Sequence, residues 1–160
     1  MMMNFRNKLK ITDFEFLKDI LTSTGFFNDS EVEIVKELTE ENLEKGEEES
    51  GYIFNIAEEN GQAIAFTCYG TIPGTESSFD LYWIAVHKSL RGKGIGKTLM
   101  DMAVEDIRKR GGENIWIETA SRPQYVPTQE FYLAYGCEKV AELPEFYGKN
   151  DNKVIFRICT

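Results

Sequence analysis

The stretch Leu81-Tyr82-Trp83-Ile84-Ala85-Val86-His87-Lys88-Ser89-Leu90-Arg91-Gly92-Lys93-Gly94-Ile95-Gly96-Lys97-Thr98-Leu99 passes from an apolar run, through a cationic glycine-rich turn, into a helical pattern. Ser78 to Val86 reads as a strand, strongly apolar at its end. Ile95, Leu99, Met102, Ala103 and Ile107 recur on one face of a helix. Glycines at 92, 94 and 96 let the backbone approach a ligand closely and take unusual dihedrals. The free amides and the dipole of the following helix favour an anion there. Arg91, Lys93 and Lys97 add positive charge, so a pyrophosphate is the natural guest.

Two familiar phosphate loops fit poorly. A nucleotide-triphosphate loop needs four residues between its first glycine and Gly-Lys-Thr. Here Gly92 and Gly96 have three between them, and Arg91 stands where that glycine belongs. The dinucleotide fingerprint needs Gly-x-Gly-x-x-Gly in a first strand-to-helix turn. Here the pattern is Gly-x-Gly-x-Gly, late in the chain and after hairpin-linked strands.

Working outward, residues 7–11 read as a short first strand. Thr12 and Glu15 have capping-box spacing ahead of a helix carrying Phe14, Leu17 and Leu21, which stops at Gly25. A second helix starts near Asn28 to Ser30, with Val32, Val35 and Leu38 on one side, and fades near Gly46. Tyr52–Ala57 and Ala63–Tyr69 read as strands joined by Glu59-Asn60-Gly61-Gln62, an Asn-Gly hairpin. After the glycine loop, Arg108, Lys109 and Arg110 suit a helix C-terminus and Gly111-Gly112 stops it. Asn114–Thr119 is the next strand. Pro127 opens a helix running to Tyr135, with Gly136 as its stop. Cys137–Ala141 and Lys153–Ile158 are two late strands. The order β, α, α, β, β, β, α, β, α, β, β predicts an α/β (α+β) domain over residues 1–160. Its mixed, mostly antiparallel sheet of about seven strands has helices on both faces.

Composition narrows the class. The chain has 160 residues and is 42% hydrophobic and 28% charged, a soluble globular balance. No apolar run approaches the ~20 residues of a membrane span. The start, Met1-Met2-Met3-Asn4-Phe5-Arg6, lacks a signal peptide's apolar core. Cys68, Cys137 and Cys159 are odd in number and widely spaced, which fits reduced thiols in a cytoplasm and no disulfide or zinc framework. A formal net charge of -9 argues against nucleic acid or an anionic membrane as partner. Ten acids against two lysines between Asp29 and Glu49 carry most of that charge, as a solvated helix face.

Arg91-x-x-Gly94-x-Gly96 after Leu81–Val86 resembles the acetyl-CoA motif of the GNAT acetyltransferase superfamily. Phe131-Tyr132-x-x-x-Gly136-Cys137 is similar to that family's Phe/Leu-Tyr-x-x-x-Gly-Phe segment, and the resemblance runs from about Tyr52 onward. It implies a single GNAT-like domain that moves acetyl from acetyl-CoA to a primary amine of a small molecule or peptide. Attack is direct, in a ternary complex, with no metal. Arg91, Gly92, Lys93, Gly94, Ile95, Gly96, Lys97 and Thr98 would hold the CoA pyrophosphate. Main-chain groups of Ile84, Ala85 and Val86 would pair with the pantetheine arm and polarise the acetyl carbonyl.

Tyr132 would protonate the departing thiolate. Asp80 matches a carboxylate that serves in some members as general base. The chemistry stands by itself: an amine is protonated near neutrality and must lose a proton before attack. Glu118, at a strand end, is a second candidate base. Tyr82, Arg122 and Tyr125 are candidates for the acceptor side, where Arg122 could hold a carboxylate. Tyr125 stands where many members carry asparagine. Thr128 replaces a usual small residue among the cofactor positions, and Cys137 replaces phenylalanine. His87 reads as a surface turn residue. A non-catalytic acyl-CoA binding or sensing module is the alternative class. The expected assembly is a monomer or homodimer, and the acceptor amine is open.

Overall fold

The computed structural model describes residues 3–160; Met1 and Met2, part of the start read above, lie outside it. The strands are β1 (Met3–Arg6), β2 (Ile53–Glu59), β3 (Gln62–Thr71), β4 (Ser78–Val86), β5 (Asn114–Ala120), β6 (Glu138–Gly148) and β7 (Asp151–Cys159). The helices are α1 (Asp13–Thr24), α2 (Asp29–Ser50), α3 (Ile95–Lys109) and α4 (Val126–Tyr135). Single 3-10 turns lie at Lys88–Leu90 and Pro123–Tyr125. The element order is the one the sequence predicts. Hydrogen bonding orders the seven strands β1-β2-β3-β4-β5-β7-β6. β4 and β5 run parallel, while β1–β2, β2–β3, β5–β7 and β7–β6 are antiparallel. The chain forms two compact units, residues 3–70 with 83–103 and residues 71–82 with 104–160; β4 and α3 contribute to both.

In the first unit, alternation along the strands builds two cores. Phe54 and Ile56 of β2 join Leu17, Ile20, Leu21 and Val35 of α1 and α2. Ala57, between Ile56 and Glu58, joins Ile95 and Leu99 of α3 instead. Successive strand residues point to opposite faces, so this unit carries helices on both. The hairpin is as read: Asn60 (φ 54°) and Gly61 (φ 79°) both take the left-handed region that a two-residue turn requires. The second helix starts as expected, with Asn28 Oδ1 accepting from Glu31 N at 2.9 Å and Glu31 closing the capping box. Gly46 (φ 81°, ψ 175°) breaks α2 where the pattern fades, and helical turns then resume to Ser50.

Two local expectations fail here. The first strand is Met3–Arg6, and residues 7–11 form turns. Arg6 explains the shift: its Nε contacts Glu58 Oε2 at 2.7 Å across the β1–β2 pair, and its other nitrogens grip both oxygens of Asp13 at 2.6 and 2.8 Å. The Thr12–Glu15 capping box does not form. Thr12 is already helical (φ -84°, ψ -6°) and its side chain caps nothing. Asp13, 1% exposed, instead accepts from Lys10 N at 2.7 Å and ties down the chain that enters the helix.

In the second unit, Phe79, Leu81, Ile115, Ile117, Val154 and Phe156 are buried. Their neighbours Ser78, Asp80, Trp116, Glu118, Lys153, Ile155 and Arg157 alternate with them and share the opposite face. Gly111 (φ 87°) and Gly136 (φ 107°) end α3 and α4 as the sequence indicates. β6 outruns the expected Cys137–Ala141, continuing through Pro144 to Gly148. It is the edge strand, where a missing N–H removes no ladder bond.

Candidate active site

The first unit carries the glycine loop. His87 opens the 3-10 turn by accepting from Ser89 N at 3.2 Å, and its Nε2 lies 3.2 Å from Asp19, so it is a turn residue. Arg91 ends that turn in extended conformation, its guanidinium 5.2 Å from the Phe26 ring centroid. Gly92 and Gly94 both have φ +78°, and a Cβ at either would meet no atom within 4 Å. The loop is therefore open on its outer side, and its curvature needs glycine for conformation. Gly96 lies inside α3, so only two of the three glycines supply unusual dihedrals.

Gly94 O accepts from Thr98 N and from Thr98 Oγ1, each at 3.1 Å, which starts the helix. That geometry leaves the amides of Ile95, Gly96 and Lys97 without helical acceptors. Arg91, Lys93 and Lys97 are exposed, and Lys97 pairs loosely with Asp101 at 3.1 Å. Ile95 is buried and anchors the turn from below. Before the loop, Ala85 is buried in the α1–α2 core, and Ile84 and Val86 are half-buried. The residues present fit a pyrophosphate: helix-start amides without helical acceptors, three exposed cations and open space at the glycines.

The second unit carries the proton-transfer candidates, on opposite faces of its strands. Tyr132 is 5% exposed, its ring 5.4 Å from that of Phe156. Burial, and then the neighbouring Cys137 thiol, hold its phenol above the ordinary value. It therefore stays protonated at neutral pH. Burial also pushes Cys137 up to about 11 and raises Cys68, so both remain thiols.

On the other face, Asp80 is half-buried. Desolvation, and then the Glu118 carboxylate, push its carboxyl above the usual value, with Lys153 working against them. Glu118 Oε2 is 2.8 Å from Lys153 Nζ. The β4–β5 register runs from Ser78↔Asn114 to Leu81↔Ile117, so these carboxylates lie at its end.

The remaining candidates separate. Tyr82, on Asp80's side of β4, is 38% exposed. Tyr125 is buried at the start of α4, and Thr128 is half-buried one turn on. Arg122 Nε lies 3.0 Å from Asp151 Oδ2, at ion-pair distance without hydrogen-bond geometry. Its guanidinium sits 5.2 Å from the Tyr125 ring centroid, so Arg122 already has an internal anion. Lys153 is given no role by sequence reading. The usable signal is the alternation Lys153, Ile155, Arg157 against Val154, Phe156, Ile158, which marks a polar face. Among the described residues no cluster suits a metal ion, and no helix is long and apolar enough to cross a membrane.

β4 runs parallel to β5, and the anion-ready loop follows β4 and opens α3. The chain belongs to the Acetyltransferase (GNAT) family, whose model matches residues 14–137. It is similar to the uncharacterized N-acetyltransferase YsnE of Bacillus subtilis, 32% identical over 65 residues, or 39% of this chain. The match spans 40% of that relative's length. A solved GNAT-family protein from Desulfovibrio desulfuricans is 35% identical, covering 99% of each chain with a TM-score of 0.95. The PaiA N-acetyltransferase of Thermoplasma acidophilum, solved with coenzyme A, shares the fold at 19% identity, covering all of both chains with a TM-score of 0.77.

Proposed function

We propose that residues 1–160 form one N-acetyltransferase domain. It transfers acetyl from acetyl-CoA to a primary amine of a small molecule or peptide. The observation that carries this reading is the loop itself. Gly92 and Gly94 turn the backbone beside Arg91, Lys93 and Lys97, just ahead of the first amides of α3, which lack helical acceptors. Family membership and the coenzyme A bound to the Thermoplasma neighbour support CoA as the compound held there.

Asp80 takes a proton from the acceptor's ammonium, whose nitrogen then attacks the acetyl carbonyl. Its raised basicity suits that task, since a base works best with a pKa nearer the working pH. The carbon–sulfur bond breaks as the carbon–nitrogen bond forms. Tyr132, held protonated by burial, donates to the leaving thiolate and regains a proton from the nitrogen, which sheds its second as the amide forms. Main-chain amides near Ile84, Ala85 and Val86 polarise the carbonyl. Cys68 and Cys137 are kept as thiols, which supports direct transfer without an acyl-enzyme. Acceptor contacts are assigned to Tyr82, Glu118, Arg122 and Tyr125, and Thr128 is assigned to the cofactor arm.

Acetyl-CoA at a hundred times its dissociation constant should raise unfolding stability by about 2.7 kcal/mol, read as a thermal shift. No shift at millimolar cofactor sinks the assignment. Release of free CoA in the presence of amines, followed by thiol trapping, tests turnover. A thermal shift with no release for any amine would leave a CoA-binding module instead.

A further inference from the structure

On the polar face of the second unit, two carboxylates compete for the role of base, and the structure treats them differently. Register places Lys153 opposite Ala120, two residues beyond Glu118 on β5. From there its side chain reaches back along the sheet, bringing Nζ to 2.8 Å from Glu118 Oε2. The same ammonium lies 4.2 Å from the centroid of the Phe146 ring, so a carboxylate and an aromatic face hold it together. The Lys153 side chain is only 15% exposed, whereas that of Glu118 is 48% exposed.

Arg157, the other cation of this face, is engaged elsewhere. Its Nε donates to Asn114 Oδ1 at 2.8 Å, and its guanidinium lies over Trp116. The charged groups acting on Asp80 are therefore Glu118 from β5 and Lys153 from β7.

We infer that Lys153 is a positioning residue: by holding Glu118 in an ion pair capped by Phe146, it leaves Asp80 as the carboxylate that receives the acceptor's proton. The inference rests on the proposed reading of this face as the acceptor side. One oxygen of Glu118 is engaged by the Lys153 ammonium at 2.8 Å. Asp80 keeps a neighbouring anion whose effect is moderated by Lys153. Removing the lysine exposes Asp80 to the full charge of Glu118. Removing the Glu118 charge does the opposite.

The test follows the Asp80 carboxyl directly, by carbon-13 NMR of carboxyl-labelled aspartate across the acid range, in the whole chain without ligand. Lys153→Met should move the Asp80 midpoint up by about one unit, Glu118→Gln should move it down, and Lys153→Arg should stay near wild type. A panel of spermidine, kanamycin and peptides with a free N-terminus or a lysine supplies the second arm. With any amine that turns over, the acid limb of kcat/KM should move in the same directions.

An unmoved Asp80 midpoint in both Lys153→Met and Glu118→Gln overturns the inference. Asp80→Asn separates the two readings. Full turnover in that variant removes Asp80 as base, and so the underlying mechanism, whatever the NMR midpoints do.

Discussion

At the scale of single residues, Tyr132 and Gly94 give the sharpest expectations. Tyr132→Phe keeps the ring that packs on Phe156 and removes only the proton. Turnover should fall about 10²- to 10⁴-fold, the usual worth of a general acid, with cofactor affinity nearly unchanged. Equal turnover would make the tyrosine a core residue. Gly94→Val should lose cofactor affinity in a calorimetric titration, but for a different reason than crowding. Space around Gly94 is open, and the obstacle is its φ of +78°, which costs a branched side chain about 1–2 kcal/mol or relaxes the loop. Both residues were legible because each sits in a short motif with fixed spacing. Lys153 was not, because its meaning depends on Glu118, a residue distant in sequence that only the β5–β7 register brings near.

At the scale of elements, the two helix starts of the first unit make a matched pair. Asn28→Ala removes a formed capping box and should cost about 1 kcal/mol in urea unfolding. Thr12→Ala removes a hydroxyl that caps nothing and should change stability by less than about 0.5 kcal/mol. A larger loss at Thr12 would contradict the structure. Both sites carry capping signatures in the sequence, so spacing alone could not separate them. The deciding group is Arg6, whose grip on Asp13 sets the chain's entry into α1. The same residue moved the first strand to Met3–Arg6, whose four residues are too few for their alternation to mark a strand. The hairpin at Asn60-Gly61 and the stops at Gly111 and Gly136 were readable because positive φ demands those residue types locally. The strand expected to end at Ala141 runs on through Pro144, which an edge strand accommodates.

At the scale of the whole molecule, stability should depend on acid through Glu58. Hydrogen bonds from Arg6, and then Asn4, hold its carboxyl below the ordinary value of 4.5. A carboxylate depressed in the folded state adds stability above its unfolded pKa and loses it as pH falls through the folded one. Wild type should therefore exceed Glu58→Gln in urea unfolding at neutral pH, with the gap closing in acid; a gap that persists there would place the effect in packing. The second unit's sheet has a consequence of its own. Its two faces are unequally open to water, with Asp80 and Glu118 on the accessible side and Tyr132 on the buried one. In the proposed reaction an ammonium gives up two protons for each that ends on sulfur. In that reaction the strands would act as a partition: the proton taken by Asp80 would leave to solvent, and the phenol would regain from the amide-forming nitrogen the proton it gives to sulfur.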